Sequence, residues 1–329
     1  MRHLPRTIAA LFLSLASTVA CAEEKARPLE ISAKPLPLSY TDRQATTLGP
    51  LRHRGTLKLT SPDSDFGGLS GIIVSPDGKS FLAITDASHW LTGELAYDKG
   101  RLSGIRGTRI APLRDEDGKP LSGKQGDAEG LAGTLDGTVY VSFEGDHRIW
   151  SYAFGRDGLD APARAVRVPA SLADAPGNGG LEALEQLAGG RLLALTEGMK
   201  DKAGHMRGWL IDPKGGKDEA LSVVARTPYE ITDARQLPGG DVLTLERRFS
   251  RTGGIGFAVR RIASPDIKSG TPIRPTLVAD AGMEHVIDNM EGLSVRTDEA
   301  GRTLVYVVAD DNFNRPLQQT LLMLFELKD

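Results

Sequence analysis

The stretch GGLSGIIVSPDGKSFLAITDAS, residues 67–88, is one of five segments built on one plan. The others are DAEGLAGTLDGTVYVSFEGD (127–146), GGLEALEQLAGGRLLALTEG (179–198), EITDARQLPGGDVLTLERR (230–248) and NMEGLSVRTDEAGRTLVYVVADD (289–311). Each reads as a strand, a tight turn and a more apolar strand. Asp77-Gly78, Asp136-Gly137, Gly189-Gly190, Gly239-Gly240 and Ala300-Gly301 mark the turns. Asp-Gly and Gly-Gly supply the positive φ that a two-residue hairpin loop needs. Successive turn glycines are 59, 53, 50 and 61 residues apart. Such spacing suits β modules with variable loops better than helix-pair solenoids, whose periods are shorter and stricter.

Further strands complete each module. They are expected at 147–154 and 163–169, at 205–211 and 221–227, and at 254–262 and 275–280. The fifth module has a single further strand, 320–327, before the chain ends. An unclaimed strand, Gly55–Leu59, lies ahead of the first repeat and supplies the missing one. The expected fold is therefore all-β: a propeller of four-stranded blades, five by count and six if residues 30–55 contribute more. The N-terminal strand closes the ring. A sandwich of ordinary hairpins is the competing architecture.

Composition agrees with a globular chain. Of the 329 residues, 40% are hydrophobic and 25% charged, with a net charge of −3. That balance gives no basic surface for nucleic acid. Arg2 and Arg6, the uncharged stretch from Ile8 to Val19 and Ala20-Cys21-Ala22 form a signal peptide pattern over 1–22. Residues 23–52, with Pro28, Pro35, Pro37 and Pro50, read as an extended tether, with a short strand at Leu36–Tyr40. The propeller domain then spans 53–329. The apolar core of the signal is too short for a membrane span, and no other stretch qualifies. The expected location is periplasmic or secreted. Cleavage before Cys21, the single cysteine, would instead leave a lipid anchor.

Acidic residues recur at matching repeat positions. Ser70, Glu129, Glu182, Asp233 and Glu291 stand at the start of strand one. Asp86, Glu144, Glu197, Glu246 and Asp310 stand at the end of strand two. Both positions lie at the hairpin edge opposite the turn, and strand one lines a propeller's channel. Up to nine carboxylates would then converge at the channel mouth, where mutual repulsion raises their pKa values. A hard multivalent cation is one compensation, with Ca²⁺ ahead of Mg²⁺ or Mn²⁺ for an oxygen-only donor set. Hydrogen bonding to backbone amides of neighbouring blades and plain solvation in loops are the alternatives. Arg247 and Arg248 follow Glu246 and suit an anionic ligand. His285, in EHVIDNME (284–291), is a candidate general base, and Asp310-Asp311-Asn312-Phe313-Asn314 faces it in the same blade.

The motifs FGGLSGI, GDAEGL, GGLEAL and NMEGLSV, in this order, resemble the bacterial phytase-like propeller proteins, described as having esterase-like activity of phytase. The resemblance covers about residues 55–329. It implies an extracytoplasmic propeller that hydrolyses phosphoesters or carboxylesters. Glu129, Glu182 and Glu291 match the family's Glu-Gly-Leu or Glu-Ala-Leu positions, and Ser70 departs from them. The expected mechanism is metal-assisted hydrolysis of a small anionic or ester substrate. Glu129 and Glu291 would handle water and protons, and Arg247 would stabilise developing negative charge. A Ca²⁺-dependent lactonase or arylesterase is the alternative enzyme. A ligand- or partner-binding propeller of the cell envelope is the non-catalytic one.

Overall fold

The computed structural model describes residues 25–121, 126–250 and 253–328. The expected signal peptide, 1–22, and Cys21 lie outside them. Among the described residues, twenty-three strands form five antiparallel sheets, each ordered from the axis outward. Blade 1 contains β5 (Leu69–Val74), β6 (Ser80–Thr85), β7 (His89–Asp98) and β8 (Arg101–Pro112). Blade 2 contains β9 (Ala128–Gly133), β10 (Val139–Phe143), β11 (Arg148–Tyr152) and β12 (Ala163–Val166). Blade 3 contains β13 (Leu181–Gln186), β14 (Leu192–Lys200), β15 (Met206–Ile211) and β16 (Glu219–Val223). Blade 4 contains β17 (Glu230–Gln236), β18 (Val242–Ser250), β19 (Gly254–Ile262) and β20 (Thr276–Ala281).

Blade 5 is built from both ends of the chain. β21 (Asn289–Thr297), β22 (Thr303–Asp310) and β23 (Thr320–Leu327) are followed by β4 (Leu51–Thr60). β4 pairs with β23 from Thr320↔Leu59 to Leu327↔Leu51. The strand left over at the N-terminus thus closes a five-bladed propeller. Ahead of it, β2 (Ser32–Leu36) adds an outer strand on β4, β1 (Arg27–Pro28) pairs with β8, and β3 (Thr47–Leu48) folds back on β4. Only Leu36 of the expected 36–40 strand lies in β2. Leu38 is instead buried against blade 5, accepting a hydrogen bond from the Val286 amide. No helix of the described residues is long and apolar enough to cross a membrane.

The core is divided into five apolar clusters, each between neighbouring blades. Inner strands are buried on both faces, so they read as continuous apolar runs: VYVSF of β10 is wholly buried. The outer β8 alternates instead. The glycine of the repeated motif has a steric cause. A Cβ on Gly130 would lie 2.5 Å from the Glu182 carbonyl of the next blade, and one on Gly292 would lie 3.0 Å from Gly71 Cα. Inner strands converge too closely there for a side chain.

Arg235 pins the axis. Its Nη1 donates to the Leu184 carbonyl at 2.8 Å and to Asp233 Oδ1 at 2.9 Å. Its Nη2 reaches the carbonyls of Leu131 and Ile72. Asp233 Oδ2 accepts the Leu293 amide at 2.7 Å. One ion pair therefore touches the innermost strand of every blade.

His53, on β4, is 4% exposed, with Nε2 2.8 Å from Thr56 Oγ1. Burial, aided by the nearby Arg101 charge, lowers its pKa to about 4. The unfolded chain binds this proton near pH 6.5, so stability is full above that value and falls as pH drops toward 4. The loss is about 3 kcal/mol. Urea unfolding of wild type and His53→Asn should show the stability gap between them narrowing by about that amount between pH 7 and pH 4. Parallel pH profiles would contradict it.

Candidate functional site

At the mouth opposite the hairpin turns, a cavity of about 180 Å³ is lined by Asp86, Asp127, Glu129, Glu144, Glu182, Glu197 and Glu291, with Ser70, Asn178, Arg247 and Asn312. Seven carboxylates face one guanidinium.

Local irregularity aims these side chains. Strand one slips against strand two at the same place in every blade: between Leu69 and Gly71, between Leu181 and Ala183, between Ile231 and Asp233, and between Met290 and Gly292. In blade 2 the slip falls between Val141 and Phe143 of the partner strand. A bulge turns its extra residue out of the regular alternation, here toward the axis. The extra residues are Ser70, Glu182, Thr232 and Glu291, with Glu129 beside the slip in blade 2.

Blade 4 departs from the expected alignment by one residue. Ile231 pairs with Glu246, so Thr232 and Arg247 take the two positions that acids hold in blades 2, 3 and 5. Asp233 and Glu246 lie outside the cup. Asp233 belongs to the axial pin described above. Glu246 is buried and accepts from the Arg260 guanidinium Nε at 2.5 Å. Asp310 occupies the homologous position in blade 5 but does not line the cavity; its Oδ1 accepts the Asn312 amide at 2.8 Å. His285 is also outside the cup. It bridges the N-terminal segment at Ser39, and its Nδ1 lies 3.1 Å from Glu284. The remaining expected residues, Asp86, Glu129, Glu144, Glu182, Glu197, Glu291 and Arg247, come together.

Arg247 is held in place from two sides. Its Nη2 is 2.6 Å from Glu197 Oε1, and its Nη1 is 2.7 Å from Asn289 Oδ1 and 3.3 Å from Glu291 Oε1. Asn289 Nδ2 donates to Glu291 Oε1 at 2.6 Å. Glu144 Oε1 accepts the amides of Gly179 and Gly180 at 2.5 and 2.6 Å, so it binds the next blade as well as facing the cup.

Crowding of like charge away from water raises the pKa of several of these carboxyls. Burial first, then the neighbouring carboxylates, pushes Glu129 and Glu182 well above the ordinary glutamate range. Asp86 rises to about 6 through burial and the charges of Asp127 and Asp311. Glu291 rises to about 8, burial outweighing the pull of Arg247. Asp310, beside them, rises to about 7 through burial. The Arg247 pKa rises too, which for a cation favours the charged form: burial opposes its charge, but Glu291, Glu197 and Glu182 outweigh it and keep it protonated.

The donor set fits a hard cation. One carboxylate oxygen each from Asp127, Glu129 and Glu144 lies within 4.8 Å of the other two. Asp86 Oδ1 is buried with no hydrogen-bond partner. All these donors are oxygens, which suits Ca²⁺ or Mg²⁺. Asp127, Asn178 and Asn312 are cup residues that the repeat alignment did not single out. For Asp127 the signal was its place two residues before Glu129.

A family model described as phytase-like, esterase-like activity of phytase, matches residues 64–313. No curated protein matches the chain. Among solved structures, it is similar to an α-L-arabinofuranosidase from Podospora anserina at 11% identity and a TM-score of 0.49, over 82% of this chain and 94% of that one. It is similar to a gluconolactonase from Xanthomonas campestris at 12% identity and a TM-score of 0.44, over 91% and 99%. A PQQ-bound aldose sugar dehydrogenase from Streptomyces coelicolor gives 13% identity and a TM-score of 0.42, also over 91% and 99%. None of the three carries its chemistry to this chain. The family match covers most of the sequence and coincides with the five repeats: the chain belongs to the phytase-like family.

Proposed function

We propose that this protein is an exported, Ca²⁺-dependent hydrolase of phosphoesters or carboxylesters, with the acidic cup as its active site. The observation that carries the reading is the gathering of seven carboxylates around about 180 Å³ with a single arginine. Left uncompensated, such a cluster opposes folding. A divalent cation offsets it.

Asp127, Glu129 and Glu144 would hold the cation, with Asp86 supplying its unpaired oxygen. When bound, the ion supplies charge neutralisation and polarisation at the ester's oxygens. The chain's own residues do the rest. Glu291 Oε1 is engaged by Asn289 and Arg247, which leaves Oε2 to take a proton from an attacking water. Burial raises its pKa above the ordinary glutamate range, which makes it a stronger proton acceptor than a solvated glutamate. Arg247, fixed by Glu197 and Asn289, offers positive charge where negative charge develops. Its bonds fix its direction beforehand, so little reorganisation is needed.

Protein stripped with chelator should lose turnover of aryl phosphates and aryl esters and regain it with Ca²⁺. Equal rates with and without metal would refute the reading. Hydrolysis confined to lactones would move it to the lactonase alternative, and metal binding with no ester turned over would favour a binding propeller.

A further inference from the structure

Beside the cup the backbone adopts an unfavourable conformation. Asn312 and Phe313, neither of them glycine, take consecutive positive φ values of 46° and 51°. This is the left-handed region, where an L side chain crowds its own backbone. The turn is nonetheless held firmly. The amides of Asn312 and Phe313 donate to Asp310 Oδ1 and Asp311 Oδ1 at 2.8 and 3.2 Å. The Asn314 amide donates to the Asp311 carbonyl at 2.6 Å. Arg315 follows and donates to the carbonyls of Ser61 and Asp63 at 3.2 and 2.7 Å. Local strain of this kind persists only where the surroundings over-determine it.

The result is a fixed place for the Phe313 ring. It lies against Gly67 and Gly68, just ahead of β5. A Cβ on Gly67 would meet the ring at 2.9 Å. One on Gly68 would lie 2.7 Å from the ring and 2.7 Å from the carboxylate carbon of Asp86. The glycine pair thus lets the aromatic ring and a cup carboxylate close on the same backbone. Asp86 and Asn312, which flank the ring, line the cavity, while Phe313 itself does not, so the ring stands just outside it. Yet Phe313 remains 40% exposed. One part of the ring is packed on the glycine pair and the rest is open to a ligand. The cavity itself, at about 180 Å³, is smaller than the pockets that enclose a drug-sized ligand. It takes one charged group and leaves the rest of a substrate at the rim.

We infer that Phe313 is a specificity-determining residue: an aromatic platform that stacks on the aryl portion of an ester whose anionic group enters the cup. This rests on the hydrolase reading of that cup and narrows its substrate class to aryl-bearing esters over wholly polar polyphosphates. Stacked or edge-on aromatic pairs contribute enough for a preference of about threefold to tenfold.

The test measures binding of phenylphosphonate and methylphosphonate to the full-length mature protein by calorimetry in calcium buffer. Wild type should bind the phenyl compound about threefold to tenfold more tightly. Phe313→Ala should bring the two affinities together, and Phe313→Trp should keep them apart. Equal affinities in wild type, or a phenyl preference that survives Phe313→Ala, would overturn the inference. Failure of both phosphonates to bind would overturn it together with the anion-binding reading of the cup. A preference abolished by Phe313→Ala, in a protein that hydrolyses no aryl phosphate or aryl ester, would uphold the platform while removing the hydrolase reading.

Discussion

Arg235→Met should cost about 3–5 kcal/mol of stability, the range found when one partner of a buried ion pair is removed. The substitution keeps much of the side-chain bulk, so the effect is electrostatic and not a cavity. It strips hydrogen bonds from the carbonyls of Leu184, Leu131 and Ile72, on three different blades. It also leaves Asp233 buried, 1% exposed, without its counter-charge. Asp233 already has a pKa pushed up to about 7 by burial, with Arg235 pulling it down. Without the arginine it is expected to fold protonated. Replacing both residues with apolar ones should recover part of the loss, because no unpaired charge then remains. Urea unfolding at pH 7 measures both. A loss below about 1 kcal/mol for the single variant would mean that the axis is not held by this pair.

Glu129→Gln is the second large effect. The substitution preserves size and removes the charge at one of the three carboxylates that would hold the cation. Affinity for Ca²⁺ should fall by at least about 100-fold, since even a residue behind a metal ligand can cost 10- to 100-fold. Turnover of aryl esters should fall with it. The instructive comparison is Glu246→Gln. Glu246 was expected to belong to the same ring but faces Arg260 and Thr244. Its substitution should lower stability and leave Ca²⁺ affinity within about twofold, as expected for sites without shared partners. Calorimetry on both variants separates the cup from the surrounding acids. Equal losses of affinity would contradict the one-residue shift in blade 4.

That shift shows how far the sequence could be read. The propeller was legible because its signals are local and repeated: a turn dipeptide, a flanking apolar strand, and one surplus strand at Gly55–Leu59 that β4 places in blade 5. Six cup acids were legible for the same reason. Glu129 and Glu182 stand eight residues before Gly137 and Gly190, and Glu144 and Glu197 stand seven after them. The same counts from Gly240 land on Thr232 and Arg247. Choosing the nearest acids, Asp233 and Glu246, overrode the count. Adjacent strand residues face opposite ways, so one step moved both choices out of the cup. Arg247 was singled out as a neighbour of the ring, whereas it is a member of it.

Other parts of the site were hidden by long-range packing. Glu144 reaches the Gly179 and Gly180 amides, and Phe313 reaches Gly67 and Gly68, across hundreds of residues in the second case. His285 lay in a ligand-rich segment, yet the N-terminal segment covers it through Ser39. No local pattern announces such contacts.

The central claim is that the gathered carboxylates hold a divalent cation. Crystals of residues 23–329 grown in calcium, measured at a wavelength where calcium scatters anomalously, address it directly. The account predicts an anomalous peak among Asp127, Glu129 and Glu144, within reach of Asp86, that vanishes in Glu129→Gln crystals. A cup containing only water at saturating calcium, or a peak lying elsewhere in the propeller, would contradict it.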